Sequence, residues 1–293
     1  MAFRLRDIFI LVGVIMIWGG NFAVVKIGLQ HFTPLFFIAL RFALVALFLL
    51  PVARAPRGRF LHVFALSWTL GVIHFALMFT GLKTVDAATA AIAVQLQVPM
   101  ASLLAWLVFK DKLGWRRAIG MLLAFAGVGV IVGGPNLEGQ YLGLGLVVSA
   151  AFMWAVANVQ IKLMGNIDGK SLNAWVGVFA APQLLALSLL LESGQWQALA
   201  TLNVSAVFAV LYQSLAVMVV GYGIWYSLMR RYDMNQVMPF TLLLPVFGVL
   251  AGVLVLGEEI TLTFLLGGVL TLIGVGIIVI RRPKIAAPET QRM

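Results

Sequence analysis

The sequence predicts an all-α integral membrane protein of ten transmembrane helices, arranged as two inverted five-helix repeats. Three observations carry that expectation. Of the 293 residues, 62% are hydrophobic and only 10% are charged, with a mean hydropathy of +1.06; soluble domains carry about 25% charged residues. Apolar runs of roughly 20 residues, the length that crosses a ~30 Å hydrocarbon layer, recur along the whole chain. The second half also repeats landmarks of the first.

The elements follow from charges, prolines and polar breaks. The first run, 8–30, comes after Arg4 and Arg6 and resembles a signal peptide. It lacks a small-x-small cleavage site and leads directly into another span, so it reads as a helix. Pro34 opens the second, 34–53, and the basic cluster Arg54, Arg57 and Arg59 separates it from the third, 61–82. The fourth, 86–109, starts after Lys83 and stops at Lys110 to Lys112; the fifth, 115–133, begins with Arg116 and Arg117. The sixth, 141–163, follows Glu138, and the seventh, 170–191, lies between Lys170 and Glu192. The last three are 204–229, ended by Arg230 and Arg231; 234–256, ended by Glu258 and Glu259; and 261–281, followed by a basic tail over 282–293.

Orientation follows from the basic residues. With a cytoplasmic N-terminus, 17 of the 20 Lys and Arg fall on the inner side; Lys26 and Lys83 lie outside and Arg41 within a span. Ten spans with both termini cytoplasmic therefore satisfy the positive-inside rule. Glu138, Glu192, Glu258 and Glu259 fall outside. The net charge of +10 is a consequence of this topology, and basic residues dispersed over several loops without a contiguous groove argue against nucleic acid as a partner.

The repeat is visible in matched residues. Gly120, Gly127 and Gly129 recur 147 positions later as Gly267, Gly274 and Gly276, and Lys83, Asp86 and Asp111 match Arg230, Asp233 and Glu258 at the same offset. Pro99 matches Pro245 at 146, while Trp18 and Lys26 match Trp154 and Lys162 at 136, with Asn21 and Asn158 nearly in register. The halves are 8–133 and 141–281. Five spans per half place the second copy in the opposite orientation, the arrangement that puts a substrate path at the repeat interface of secondary transporters.

Candidate site residues are polar or aromatic groups inside the spans. "WGGNFAVVK" (Trp18 to Lys26) and "WAVANVQIK" (Trp154 to Lys162) are the inverted pair. Trp18 and Trp154 are either interface anchors or pore groups; Asn21 and Asn158 either pack against another helix or line a pathway, since an amide facing lipid leaves donors unpaired. Lys26 and Lys162 read as lysines snorkelling to headgroups. Gly19 and Gly20 let the first span approach a neighbour closely or unwind. In the third span His74 and Met78 share a face, with His74 a proton relay, a substrate donor or an interhelical hydrogen bond. Gln95 lies one turn before Pro99 on the same side. Tyr222, Trp225 and Tyr226 form either a packing stripe or an aromatic cavity wall. Arg41 either contacts substrate or pins its helix to neighbouring carbonyls.

Pro99 and Pro245, near the middle of their spans, are the expected hinges: proline removes a helix hydrogen bond and frees carbonyls that must be buried in protein or meet a cavity. The glycines of spans five and ten read as close helix packing. No Asp or Glu lies deep in a span, so a carboxylate relay for protons or sodium is not expected. Cysteine is absent and the histidines at 31, 62 and 74 are scattered, which excludes thiolate metal sites and predicts no metal or cofactor. A Walker loop is also missing, so this chain alone does not use ATP.

The segments "WGGNFAVVKIGL", "TPLFFIALRF", "VGYGIW" and "LGEEIT" resemble bacterial transporters of the drug/metabolite transporter superfamily, EamA family, and the chain is similar to exporters of amino acids and cysteine-pathway metabolites such as O-acetylserine. The first half departs from the family pattern in "FKDKLG", where Asp111 stands in place of a Glu. The resemblance implies export of a small amino-acid-type metabolite across the bacterial inner membrane by alternating access, as a monomer or homodimer in the lipid bilayer. An aromatic amino-acid or drug exporter of the same fold is the alternative; an intramembrane lipid-handling protein or enzyme is a third, for which no convergent nucleophile, base or metal set is present.

Overall fold

The computed structural model describes residues 4–110, 114–134, 139–165, 167–232 and 234–280. Its ten membrane-length helices are α1 (Leu5–Gly28), α2 (Pro34–Val52), α3 (Phe60–Leu82), α4 (Ala87–Phe109), α5 (Trp115–Val132), α6 (Tyr141–Met164), α7 (Gly169–Leu191), α8 (Val204–Met229), α9 (Met238–Leu256) and α10 (Leu262–Val279). Among the described residues there is no strand. The expected spans agree with these bounds to within about four residues, the usual uncertainty of helix ends. Met234–Val237 is helical and runs without a break into Met238–Leu242, so the helix that contains α9 begins where the sequence places it. Asp111, Glu138, Asp233 and the 282–293 tail, all named from the sequence, lie outside the described residues.

Short polar side chains start several helices. Pro34 is the first residue of α2, where its missing N–H is no loss. Asp168, Asn203 and Thr261 accept from backbone N–H groups of Ser171, Ala206 and Phe264 to cap α7, α8 and α10. Gly257 ends α9 in the left-handed region, φ 70°, which turns the following Glu258 back over the bundle.

Helix pairing is regular. Helices α5 and α10 pack together, as do α2 and α7, and α4 and α9; α1 packs on α8 and α9, α6 packs on α3 and α4, and the π-helical parts of α8 and α3 contact α2 and α7. Renumbering each helix by five maps this set of contacts onto itself. The α5–α10 contact depends on glycine. A Cβ on Gly127 would lie 2.5 Å from the Gly267 carbonyl, and one on Gly274 would lie 2.5 Å from the Gly120 carbonyl. Gly129 has open space instead, so four of the six matched glycines make the close contact. Gly19 serves the same purpose between α1 and α9, where a Cβ would lie 2.5 Å from Phe247 Cβ. Helix α1 stays helical there, and a Cβ on Gly20 would meet only the Tyr212 hydroxyl, at 3.5 Å.

Four helices are irregular, and in matched positions. Helix α3 is π-helical over Ser67–His74 and α8 over Tyr212–Gly221. Helix α4 tightens to a 3₁₀ turn at Val94–Leu96, directly before the segment holding Pro99, and α9 does so at Met238–Leu242, before Pro245. π-Bulges and mid-helix 3₁₀ turns mark functional or strained places in helices.

The matched starts of α4 and α9 are packed differently. Every residue from Ala87 to Leu96 is buried, whereas at the matched start Val237 is buried and Met238–Leu242 is only half-buried. Within Gln97–Phe109 only Pro99 is buried. Large apolar side chains such as Leu47, Leu122, Leu142, Leu190 and Leu254 are exposed on the outside of the bundle, where lipid is an equally apolar solvent.

Candidate functional site

The π-helical stretches of α3 and α8 carry a group of buried polar side chains: Ser67, Thr69, His74, Gln213 and Ser214. In α8, the Tyr212 hydroxyl donates to Ile17 O at 2.8 Å, the Trp18 indole N–H donates to Val217 O at 3.3 Å, and the Ser214 hydroxyl donates to Arg41 O at 3.3 Å. Gln213, fully buried, donates from Nε2 to Asn21 Oδ1. Helix α8 is thereby tied to α1 and α2. In α3, Ser67 donates to Gln183 Oε1 at 3.2 Å, Gln160 donates to Thr69 Oγ1 at 3.0 Å, and His74 Nδ1 lies 2.8 Å from Ala150 O. Helix α3 is tied in the same way to α6 and α7.

The two matched tryptophans rest on these stretches. Trp154 packs on His74, with ring centroids 5.1 Å apart. Trp18 packs on Tyr222 at 4.9 Å and Trp225 at 5.2 Å; Gly221 leaves room for its indole, since a Cβ there would lie 2.7 Å from Nε1. Both tryptophans are half-buried, and Trp18 spends its indole N–H on the backbone of α8. His74, with 3% exposure, is a buried interhelical hydrogen-bonding group.

Arg41 stands among the same helices. It is 3% exposed, and its guanidinium lies 4.3 Å from the Phe75 ring centroid and 5.6 Å from that of Phe42. Its Nε and Nη1 atoms have no hydrogen-bond partner among the described residues, which excludes those two donors from pinning α2 to neighbouring carbonyls. Tyr222 and His74 are within electrostatic reach.

Other expected residues fall elsewhere. Met78 (7% exposed) lies in the main apolar core, and Gln95 is buried at 4%, within the tight start of α4. Asn158 is not brought to the centre: it is exposed, and its amide returns to its own helix by donating to Trp154 O at 3.0 Å. Asn21, by contrast, bonds across to α8. Lys162 sets its ammonium 3.7 Å from the Phe109 ring centroid on α4, a cation–π contact.

Lys26 corrects the snorkelling expectation. Its Nζ donates to Val85 O at 2.8 Å and lies 3.7 Å from Glu258 Oε1. Glu258 in turn accepts from the first N–H groups of α4, at Ala87 (2.6 Å) and Ala88 (2.8 Å). A carboxylate on a helix N-terminus satisfies orphan donors and complements the helix dipole. A small cavity of about 20 Å³ lined by Asp86, Glu258, Glu259 and Thr261 adjoins this junction. Glu192 makes a comparable cap on α2, accepting from Leu35 N at 2.9 Å and Phe36 N at 3.2 Å.

The sequence reading missed Thr69, Gln160, Tyr212 and Gln213, and gave Glu258 no role. One signal was present: the 147-residue offset that pairs Gly120 with Gly267 also pairs Ser67 with Ser214, the polar residues at which the two π-helical stretches meet their neighbours. Glu258 gave no comparable signal, because its partners are backbone groups 170 residues away in the chain.

No metal-binding cluster of His, Asp or Glu occurs among the described residues. The arrangement holds polar and aromatic groups between helices, as suits passage of a solute.

Comparisons with known proteins agree. The model of the EamA-like transporter family matches residues 5–133 and 141–280. A protein of Salmonella typhimurium named a probable amino-acid metabolite efflux pump is 32% identical over 92% of this chain and 93% of its own. A protein of Escherichia coli with the same name is 31% identical over 89% and 90%. A crystal structure that is 16% identical, with a TM-score of 0.58 over 92% of this chain and 94% of that one, shares the fold. Ten membrane-length helices, the duplicated packing and these likenesses lead to one conclusion: the chain belongs to the EamA-like transporter family and is a multi-pass membrane transporter, not an enzyme.

Proposed function

We propose that this chain exports a small amino-acid-type metabolite across the bacterial inner membrane by alternating access, with both termini cytoplasmic and the two inverted halves, 8–133 and 141–281, moving against each other. The observation that carries the reading is the unequal packing of the matched helix starts. The start of α4, placed outside by the count of basic residues, is fully buried and capped by Glu258; at the matched start, placed inside, Val237 is buried but no residue of Met238–Leu242 is. Two equivalent gates in unequal states are what one half-cycle of an alternating-access carrier requires. In this arrangement the outer gate is closed and the inner one is loose. The prolines and 3₁₀ turns directly inside each gate give the helices a place to bend.

The names of the Salmonella and Escherichia coli relatives support an amino-acid metabolite as the cargo. Neutral amino acids and cysteine-pathway compounds are the first expectation. The Trp18, Tyr222 and Trp225 cluster favours aromatic amino acids as the second. Counterflow into liposomes tests the reading: purified protein should accelerate uptake of labelled O-acetylserine, cysteine, leucine or phenylalanine against the same unlabelled compound inside. Chemical conversion of the added compound, or no exchange of any of them, overturns it.

A further inference from the structure

Arg41 is a buried cation with no acidic partner among the described residues. Every acidic residue of the chain falls at or beyond the end of a span; those described are Asp7 near the start of α1, Asp86 and Asp168 before α4 and α7, Glu192 after α7, and Glu258 and Glu259 after α9. The contacts that Arg41 does make are the faces of Phe75 and Phe42. Aromatic faces return only part of the hydration that a guanidinium loses on burial. Two of its N–H-bearing atoms, Nε and Nη1, also lie buried without a partner among the described residues.

The unmatched donors have a definite shape. Nε and Nη1 lie on opposite edges of the planar guanidinium, and each forms with Nη2 a fork that fits both oxygens of one carboxylate. The neighbouring donors are committed elsewhere, His74 Nδ1 to Ala150 O, the Trp18 indole N–H to Val217 O and Gln213 Nε2 to Asn21, while Gln213 Oε1 is a neutral acceptor with no partner among the described residues. The neighbouring surfaces are aromatic or neutral. Nothing in the middle of any span offers a carboxylate to a substrate amine.

Resting on the transport reading above, we propose that Arg41 is the anchor for the carboxylate of the transported metabolite, so that recognition is led by the acid group and the amine is held only by neutral acceptors and ring faces. Cargo is then any small monocarboxylate of suitable size. Esterification removes the feature that is recognised, while acylation of the amine removes one that is not.

The test uses the full-length protein in liposomes. For whichever of leucine, phenylalanine, cysteine and O-acetylserine shows counterflow, the free acid, its methyl ester and its N-acetyl derivative compete with the labelled probe. The free acid and the N-acetyl acid are expected to compete within about tenfold of each other, and the ester about 100-fold more weakly, the range of a charge-assisted fork. Arg41→Gln is expected to raise KM by about 100-fold and Arg41→Lys, which keeps the charge but loses the fork, by about tenfold. An ester that competes as well as its acid, or an Arg41→Gln protein with the wild-type KM, overturns the proposal and leaves the transport reading standing. Counterflow of no probe overturns both. The ester comparison is made on the wild-type protein, so it holds even where Arg41→Gln fails to fold.

Discussion

The Lys26 ammonium lies 3.7 Å from the Glu258 carboxylate, at a point where three helices distant in sequence meet. Lys26 is near the end of α1, Glu258 follows α9, and both also bind the backbone at the start of α4. The residues therefore tie α1, α4 and α9 together at one end of the bundle, the end that the alternating-access proposal takes as closed. Glu258→Ala removes two charge-assisted hydrogen bonds to N–H groups, each worth about 1.5–3 kcal/mol. The closed outer end should lose at least one bond's worth, shifting the population toward the outward-open state by roughly 10- to 100-fold. A cysteine placed at the buried Ala88 should then react faster with an impermeant maleimide. Equal labelling rates with and without Glu258 would remove this tie from the cycle.

The α5–α10 seam predicts a stability effect without a role in transport. Gly127→Val pushes a side chain into the Gly267 carbonyl and Thr271, and overpacking of this kind costs about 1–3 kcal/mol or more. Gly129→Ala, with open space around it, should stay within about 0.5 kcal/mol of wild type. Thermal unfolding in detergent separates the two; equal Tm values would show that the seam yields more easily than its geometry implies.

The matched prolines should govern turnover more than binding. Pro99→Ala or Pro245→Ala restores a backbone donor, and one helix hydrogen bond is worth about 0.5–1.5 kcal/mol. Stiffening the helices at their 3₁₀ turns should slow kcat by roughly two- to tenfold with KM changed less. Wild-type kcat in both variants would make the turns static packing features.

Asn21 and Asn158 should behave differently despite their matched positions. Asn21→Leu leaves the Gln213 amide buried without its partner, a loss of about 1–3 kcal/mol. The double variant Asn21→Leu/Gln213→Leu should recover much of that stability, since both polar groups are then gone. Asn158→Leu ends only a bond within its own helix and should keep near-normal transport. A transport-dead, well-folded Asn158→Leu protein would place the pathway along α6 instead.

Orientation is checked most directly by labelling. Because the native chain has no cysteine, single cysteines at Lys83 and Arg57, both exposed, report without background. The Lys83→Cys protein should react with an impermeant thiol reagent in intact cells and the Arg57→Cys protein should not; the reverse pattern would invert the topology.

The sequence by itself determined the ten helices, because length, apolarity and the absence of charge are local properties and lipid requires every span to satisfy its own backbone. Local properties also pointed to Pro99 and Pro245, which lie in α-helix shortly after the 3₁₀ turns, and the repeated glycines predicted a seam that the structure places at α5–α10. Tertiary structure decided which side chains meet. Lys26 looked like a snorkelling lysine because its partners, Val85 and Glu258, are far away in the chain; Asn158 looked equivalent to Asn21 because a helix pattern records spacing but not which neighbour covers that face. The unpaired state of Arg41 was equally invisible: a sequence shows that a guanidinium lies within a span, and only the packing of α2 against α3 and α8 shows that aromatic rings, and no acid, surround it.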